Sequence, residues 1–118
     1  MSVSWWVAHV LALHLSVPEP VTVNMVPSLY PSTDWAQVRR VPEAIRGGGW
    51  VVDIDSSRWA KMDNRGKMWL VAHELCHAAY GDDQVEWGRL SRKQQQRRHR
   101  HVINPCADKI LRDHSWER

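Results

Sequence analysis

The chain has 118 residues, 43% hydrophobic and 25% charged, with a formal net charge of +3 at pH 7. That length leaves room for one compact domain and little more, and a single domain is expected over residues 1–118. The balance is that of a soluble globular protein, but eight Trp, two Tyr and no Phe put indole rings where Phe normally packs.

In chain order, residues 4–16 read as a helix: Trp6, Val10 and Leu13 recur at spacings of three and four, and Pro18 and Pro20 close the segment. The apolar run from Val3 to Leu15 has no basic start and is too short to span a bilayer, so neither a secretory signal nor a membrane partner is expected. Trp5, Trp6 and Trp35 are expected in the core rather than on a docking surface, because exposed Trp clusters are rare. Residues 21–26, Val-Thr-Val-Asn-Met-Val, alternate as a strand does, and Pro27 and Pro31 end the pattern. Residues 32–46 fit either a short helix or an extended connection. Gly47-Gly48-Gly49 forms a turn into a second strand, Trp50 to Asp55, with Trp50, Val52 and Ile54 on one face. Val51, Asp53 and Asp55 share the other, expected to be wet.

Asp63 or Asn64 caps a helix running to about Tyr80, with Gly81 as its left-handed stop. Glu86 to Gly88 reads as a loop, and a basic helix starts near Ser91. Asn104-Pro105 then either kinks one long helix or caps a fresh one running to about Asp113. The expected fold class is α+β: a small antiparallel sheet with helices packed on one face.

The chemistry lies in His73-Glu74-Leu75-Cys76-His77, an H-E-x-x-H motif on the capped helix. Residues four apart on a helix differ by about 40° around the axis and about 6 Å along it, so both imidazoles can meet one metal ion. Glu74, beside the first ligand, can reach a metal-activated water without binding the metal. Zinc suits imidazole and brings water to a pKa of about 7; a carboxylate then takes its proton and later delivers it to a leaving amine. That placement is zincin-like, with the motif on a central helix that follows a strand.

The third ligand is open from spacing alone. Tyr80 and Gln84 stand where a longer motif needs Gly and His, which leaves Glu86, His99, His101, Asp108 and Asp113. Glu86 lies too near the motif helix to fold back easily. His99 and His101 sit on the next helix, which can pack antiparallel across the first. Cys76 falls about 60° short of a full turn from His73 and should face the core. With Cys106 it is expected as a free thiol, consistent with a reducing, cytoplasmic location. Six Arg or Lys and no acid between Arg89 and Arg100 read as a solvated face, or alternatively as a contact for DNA or a protein partner.

The stretch from Trp50 to about Leu111 resembles the ImmA/IrrE family of zinc metallopeptidases, especially short actinobacterial and phage versions. The resemblance rests on the strand Val51 to Asp55, the helix Leu70 to Ala78 closed by Gly81-Asp82, and a later E-x-x-[AV]-[ND]-x-x-A-A-x-x-L pattern. On that pattern Val102, Cys106, Ala107 and Ile110-Leu111 take family positions, and the family's ligand Glu falls on His99. The resemblance therefore implies a zinc site of His73, His77 and His99, with His101 as the alternative third ligand if Pro105 shifts the helix. It implies a cytoplasmic endopeptidase with Glu74 as general base and acid, cleaving a regulatory protein such as a transcriptional repressor. SprT-like metalloproteases share the H-E-x-C-H-A core but carry a later His that this chain lacks. The alternative is a non-enzymatic zinc-containing regulator that binds DNA or a partner through its basic helix.

Overall fold

The computed structural model describes residues 2–42 and 48–113. The N-terminal helix α1 (Val3–Leu13) starts where the Ser2 hydroxyl accepts from the Trp5 N–H. Three strands follow: β1 (Val21–Val26), β2 (Ala36–Val41) and β3 (Gly49–Asp55). The remainder is helical: α2 (Ser56–Trp59), α3 (Asn64–Ala79), α4 (Gln84–Gly88), α5 (Arg92–Arg98), a π-helical turn (His99–Ile103) and α6 (Asn104–Arg112).

The sheet order is β1-β3-β2, and the sheet is mixed rather than antiparallel. β2 pairs antiparallel with β3, while β1 lies parallel on the other side, with Asn24 opposite Asp53. The difference from expectation lies in β2, within the stretch that the sequence left undecided. Ala36 and Val38 are buried in alternation, but Arg39-Arg40 breaks the pattern that would announce a strand. Once β2 takes the antiparallel place beside β3, β1 can join only at the opposite edge. The end of that undecided stretch, together with Gly47, lies outside the described residues.

β3 corrects a second expectation. The face carrying Asp53 and Asp55 is not wet: these residues are only 9% and 2% exposed. As the central strand, β3 has neighbours on both sides whose polar side chains fold over it. Gly49, at φ +116°, is needed where the strand begins, because a Cβ there would stand 2.5 Å from the Pro20 carbonyl oxygen. That carbonyl accepts the Trp50 N–H at 2.8 Å.

Trp6 and Val10 of α1, Val52 and Ile54 of β3, Leu75 of α3 and Ile103 meet in one core. The Trp6 indole donates to the Met68 carbonyl at 3.0 Å, which ties α1 to the motif helix. Of the three Trp residues expected inside, only Trp6 is buried. Trp5 is 52% exposed and Trp35 44%. Among the described residues, no helix is long and apolar enough to cross a membrane.

Candidate metal centre

Helix α3 places the first two imidazoles. Asp63 caps it, accepting the Gly66 N–H at 2.7 Å, and Gly81 at φ 74° turns the chain away from its end. Leu70, Val71, Leu75 and Cys76 anchor one face in the core. His73 and His77, one turn apart, then look toward the cleft, with Glu74 buried beside them.

His99 arrives from the later helix. Pro105 has no N–H to give the His101 carbonyl, and its ring would crowd that oxygen in a regular α-helix. The backbone neither stops nor restarts; it widens for one turn, and the Asn104 N–H bonds to the His99 carbonyl, five residues back. Such π turns relieve a misfit within a continuous helix and are frequent at functional sites. This one begins at His99. At the other end of α5, Ser91 and Gln94 form a complete capping box.

Together these elements bring His73, His77 and His99 to a point, with one ligand nitrogen from each lying within 4.8 Å of the others. The Nε2 atoms of His77 and His99 are 3.2 Å apart. Two nitrogens on one tetrahedral zinc would be separated by about 3.3 Å, given zinc–nitrogen bonds of about 2.0–2.1 Å. His73 Nδ1 is buried with no hydrogen bond among the described residues, and Glu74 Oε1 lies 3.5 Å from it. A cation held by the three rings would take one lone pair from each, which suits the close approach of His77 and His99.

A second layer orients the rings. His77 Nδ1 lies 3.3 Å from Asp82 Oδ2, and Arg98 Nε donates to both Asp82 oxygens at 2.8 Å. With its Nδ1 proton directed at the carboxylate, His77 presents the Nε2 lone pair to the site. Trp87 packs against His77 and His99 with ring centres at 4.8 and 4.7 Å. Trp69 stacks on His73 at 4.8 Å and donates its indole N–H to Asp108 at 2.8 Å.

The electrostatics favour neutral donors. Burial, followed by the nearby His73, His99 and Arg98, pushes His77 down to about 3. Burial and His73 also lower His99. Both rings therefore keep free lone pairs at neutral pH. Burial raises Glu74 against the opposing effect of His73, which makes its carboxylate a stronger base.

Cys76 faces the core as expected but is not a free thiol. It forms a disulfide with Cys106, joining α3 to α6 across 30 residues. The expectation of free thiols is thus corrected, and the cytoplasmic reading loses the ground it took from them. The two sulfurs meet because the helix packing that presents His99 to His77 also brings Cys106 over Cys76.

Of the remaining candidates, His101 is exposed and outside the group. Glu86 pairs with Arg89 at 2.9 Å, Asp108 holds Trp69, and Asp113 lies 4.0 Å from His14. Glu86 belongs to the short helix α4, where a loop was expected. Trp69 and Trp87 were not singled out from the sequence, and Asp82 figured there only as part of the Gly81-Asp82 pair closing the motif helix. The signal for Asp82 was present, in an acid placed directly after the glycine that folds the chain back toward His77.

A cleft of about 800 Å³ opens over the site between β2, α3 and α4. A family model described as "Putative phage metallopeptidase" matches residues 31–104, which contain all three imidazoles and Glu74. No curated protein and no solved structure matches the chain.

Proposed function

The chain belongs to the phage metallopeptidase family, and from that premise we propose that it is a zinc-dependent endopeptidase with Glu74 as general base and acid. The observation that carries this reading is the convergence of three imidazoles, two of them held neutral by burial, beside one buried carboxylate. His73, His77 and His99 would hold the ion, and three nitrogen donors favour zinc over the oxygen-seeking cations. Among the described residues no fourth His, Cys, Asp or Glu joins the group. A structural zinc is closed by four protein ligands, so a three-ligand set fits a site with a position left for reactants.

When bound, the ion supplies Lewis acidity, polarising the scissile carbonyl and making water nucleophilic at neutral pH. Glu74 takes the proton from the attacking water and passes it to the departing amine, a shuttle for which a carboxylate of raised basicity is suited. Asp82, locked by Arg98, keeps His77 in the tautomer that binds metal. Among the described residues β2 is an edge strand, and its Ala36, Gln37 and Val38 line the cleft. Its unpaired backbone groups can hold an extended peptide as an added strand.

The resemblance to the ImmA/IrrE family supports a regulatory protein or transcriptional repressor as substrate, in a cytoplasmic, phage-related setting. The other reading, a DNA-binding regulator, draws on Arg92, Lys93, Arg97 and Arg100, which are exposed on or just after α5.

Zinc content and peptide turnover test the proposal. The wild type should hold one zinc per chain, lost in His77→Ala and His99→Ala but kept in His101→Ala. Glu74→Gln should keep the zinc while turnover falls by about 10²–10⁴-fold. A folded wild type that takes up no zinc on resupply would overturn the reading. Salt-dependent binding to duplex DNA that survives zinc removal would then favour the regulator.

A further inference from the structure

Among the described residues three carboxylates line the cleft. Glu74 lies buried beside the imidazoles, and Asp82 is neutralised by Arg98. Asp34 differs from both. It stands on the loop entering β2, is exposed, and has no cationic partner among the described residues. Its Oδ2 accepts from Gln37 Nε2 at 3.1 Å, while its Oδ1 has no hydrogen bond among them. The loop beneath it is braced. The Asp34 N–H donates to the Ser32 hydroxyl at 3.1 Å, the Gln37 side-chain amide donates to the same oxygen, and Gln84 Nε2 of α4 donates to the Gln37 side-chain oxygen Oε1.

Among the described residues no Lys or Arg lines this cleft. Arg58 reaches the loop but donates to the Thr33 carbonyl and lies over the Trp35 ring, 5.8 Å from its centre. Asp34 is close enough to the centre for its charge to raise Glu74, His77 and His99 alike. The walls around it include Trp35, Trp69 and Trp87. A braced carboxylate with no hydrogen-bonded cation among the described residues, set among indole rings, is suited to a cationic nitrogen, through a charge-assisted hydrogen bond and cation–π attraction.

We propose that Asp34 is a specificity-determining residue that holds a cationic nitrogen of the substrate, the side chain of a Lys or Arg flanking the scissile bond. This rests on the peptidase reading. A free peptide α-amine offers the same chemistry, and the test separates the two sources.

The zinc-loaded chain is assayed with peptides blocked at both ends that carry Arg, norleucine or Glu at each position flanking the scissile bond. An unblocked norleucine peptide is run beside them. Wild-type kcat/KM should favour Arg over norleucine by about tenfold, the scale of one charge-assisted hydrogen bond. Asp34→Asn should bring that ratio toward one, and Asp34→Lys should turn the preference to Glu. Binding to zinc-loaded Glu74→Gln, followed by Trp fluorescence, gives a readout without turnover. There the Arg peptide should bind more tightly than the norleucine one, and addition of Asp34→Asn should remove the difference. Cleavage with no Arg preference dependent on Asp34 overturns this inference and leaves the peptidase reading standing. Binding that depends on Asp34, with no peptide cleaved, supports the cation subsite and overturns the peptidase reading. Preference for the unblocked norleucine peptide over the blocked Arg peptide overturns the side-chain assignment in favour of the α-amine.

Discussion

Two clusters of polar side chains are largely buried in this molecule, one on β3 and one between α3 and the π turn, and they are finished differently. On β3, Asp53 accepts from Asn24 at 2.9 Å and from Arg39 at 2.7 Å. Asp55 accepts from the Ser57 hydroxyl and from the N–H groups of Leu29 and Arg58. Both carboxylates are satisfied by the chain itself. The imidazoles are finished otherwise: among the described residues His73 Nδ1 has no hydrogen bond, only Glu74 Oε1 at 3.5 Å, and His77 and His99 face each other nitrogen to nitrogen. A buried polar group without a hydrogen bond costs of the order of 1–3 kcal/mol, and here it stands in a set of three imidazoles spaced to share one cation. The two acids the sequence placed on a wet strand face are structural, and the incomplete cluster is the candidate site.

The comparison is tested first at the disulfide, where the largest change in stability is expected. Cys76 and Cys106 close a loop of 30 residues that contains both His77 and His99. Reduction should lower the unfolding free energy by about 3–4 kcal/mol through chain entropy, as measured by urea unfolding of metal-free protein. Zinc affinity should fall with it, because the loosened helices must be ordered on binding. Unchanged stability after verified reduction would show that core packing alone holds α3 against α6. A smaller effect is expected from Asp82→Asn. With the orienting carboxylate gone, zinc affinity in a competition titration should weaken by about 10–100-fold. Affinity equal to wild type would place Asp82 with the structural acids of β3.

The sequence carried the parts that depend on local pattern. Helix α3 was legible from its Asp63 cap, Gly81 stop and apolar face, and β1 and β3 from their branched residues. The first two imidazoles follow from the spacing of His73 and His77. His99 was suggested by a family pattern rather than by periodicity, because a π turn leaves no mark in hydrophobic spacing. Pro105 was the visible sign of irregularity, but whether it breaks, kinks or widens a helix depends on tertiary packing. β2 was hidden by Arg39-Arg40, whose partners Asp53, Glu19 and the Trp50 ring are distant in sequence. The mixed sheet followed from that one omission. The disulfide was missed because two cysteines 30 residues apart make no visible framework and one of them lies inside the motif, where a crosslink was expected to constrain the site.

The finest test of the comparison is acid titration of Asp55. The Ser57 hydroxyl, then the Leu29 N–H, hold its carboxylate at about 2, below the ordinary aspartate value of 3.8. A carboxyl whose pKa is lower in the folded than in the unfolded chain stabilises the fold at pH values above the unfolded one. That contribution is lost as pH falls from 3.8 through about 2. Asn at this position keeps a side-chain oxygen for the N-cap of α2 but cannot titrate. In metal-free protein, the thermal midpoint of Asp55→Asn should therefore fall less than that of wild type over this interval. At neutral pH the variant should bind zinc as wild type does, because Asp55 belongs to the completed cluster. Loss of zinc in Asp55→Asn, or an acid dependence identical to wild type, would break the division between acids that finish the fold and imidazoles that await an ion.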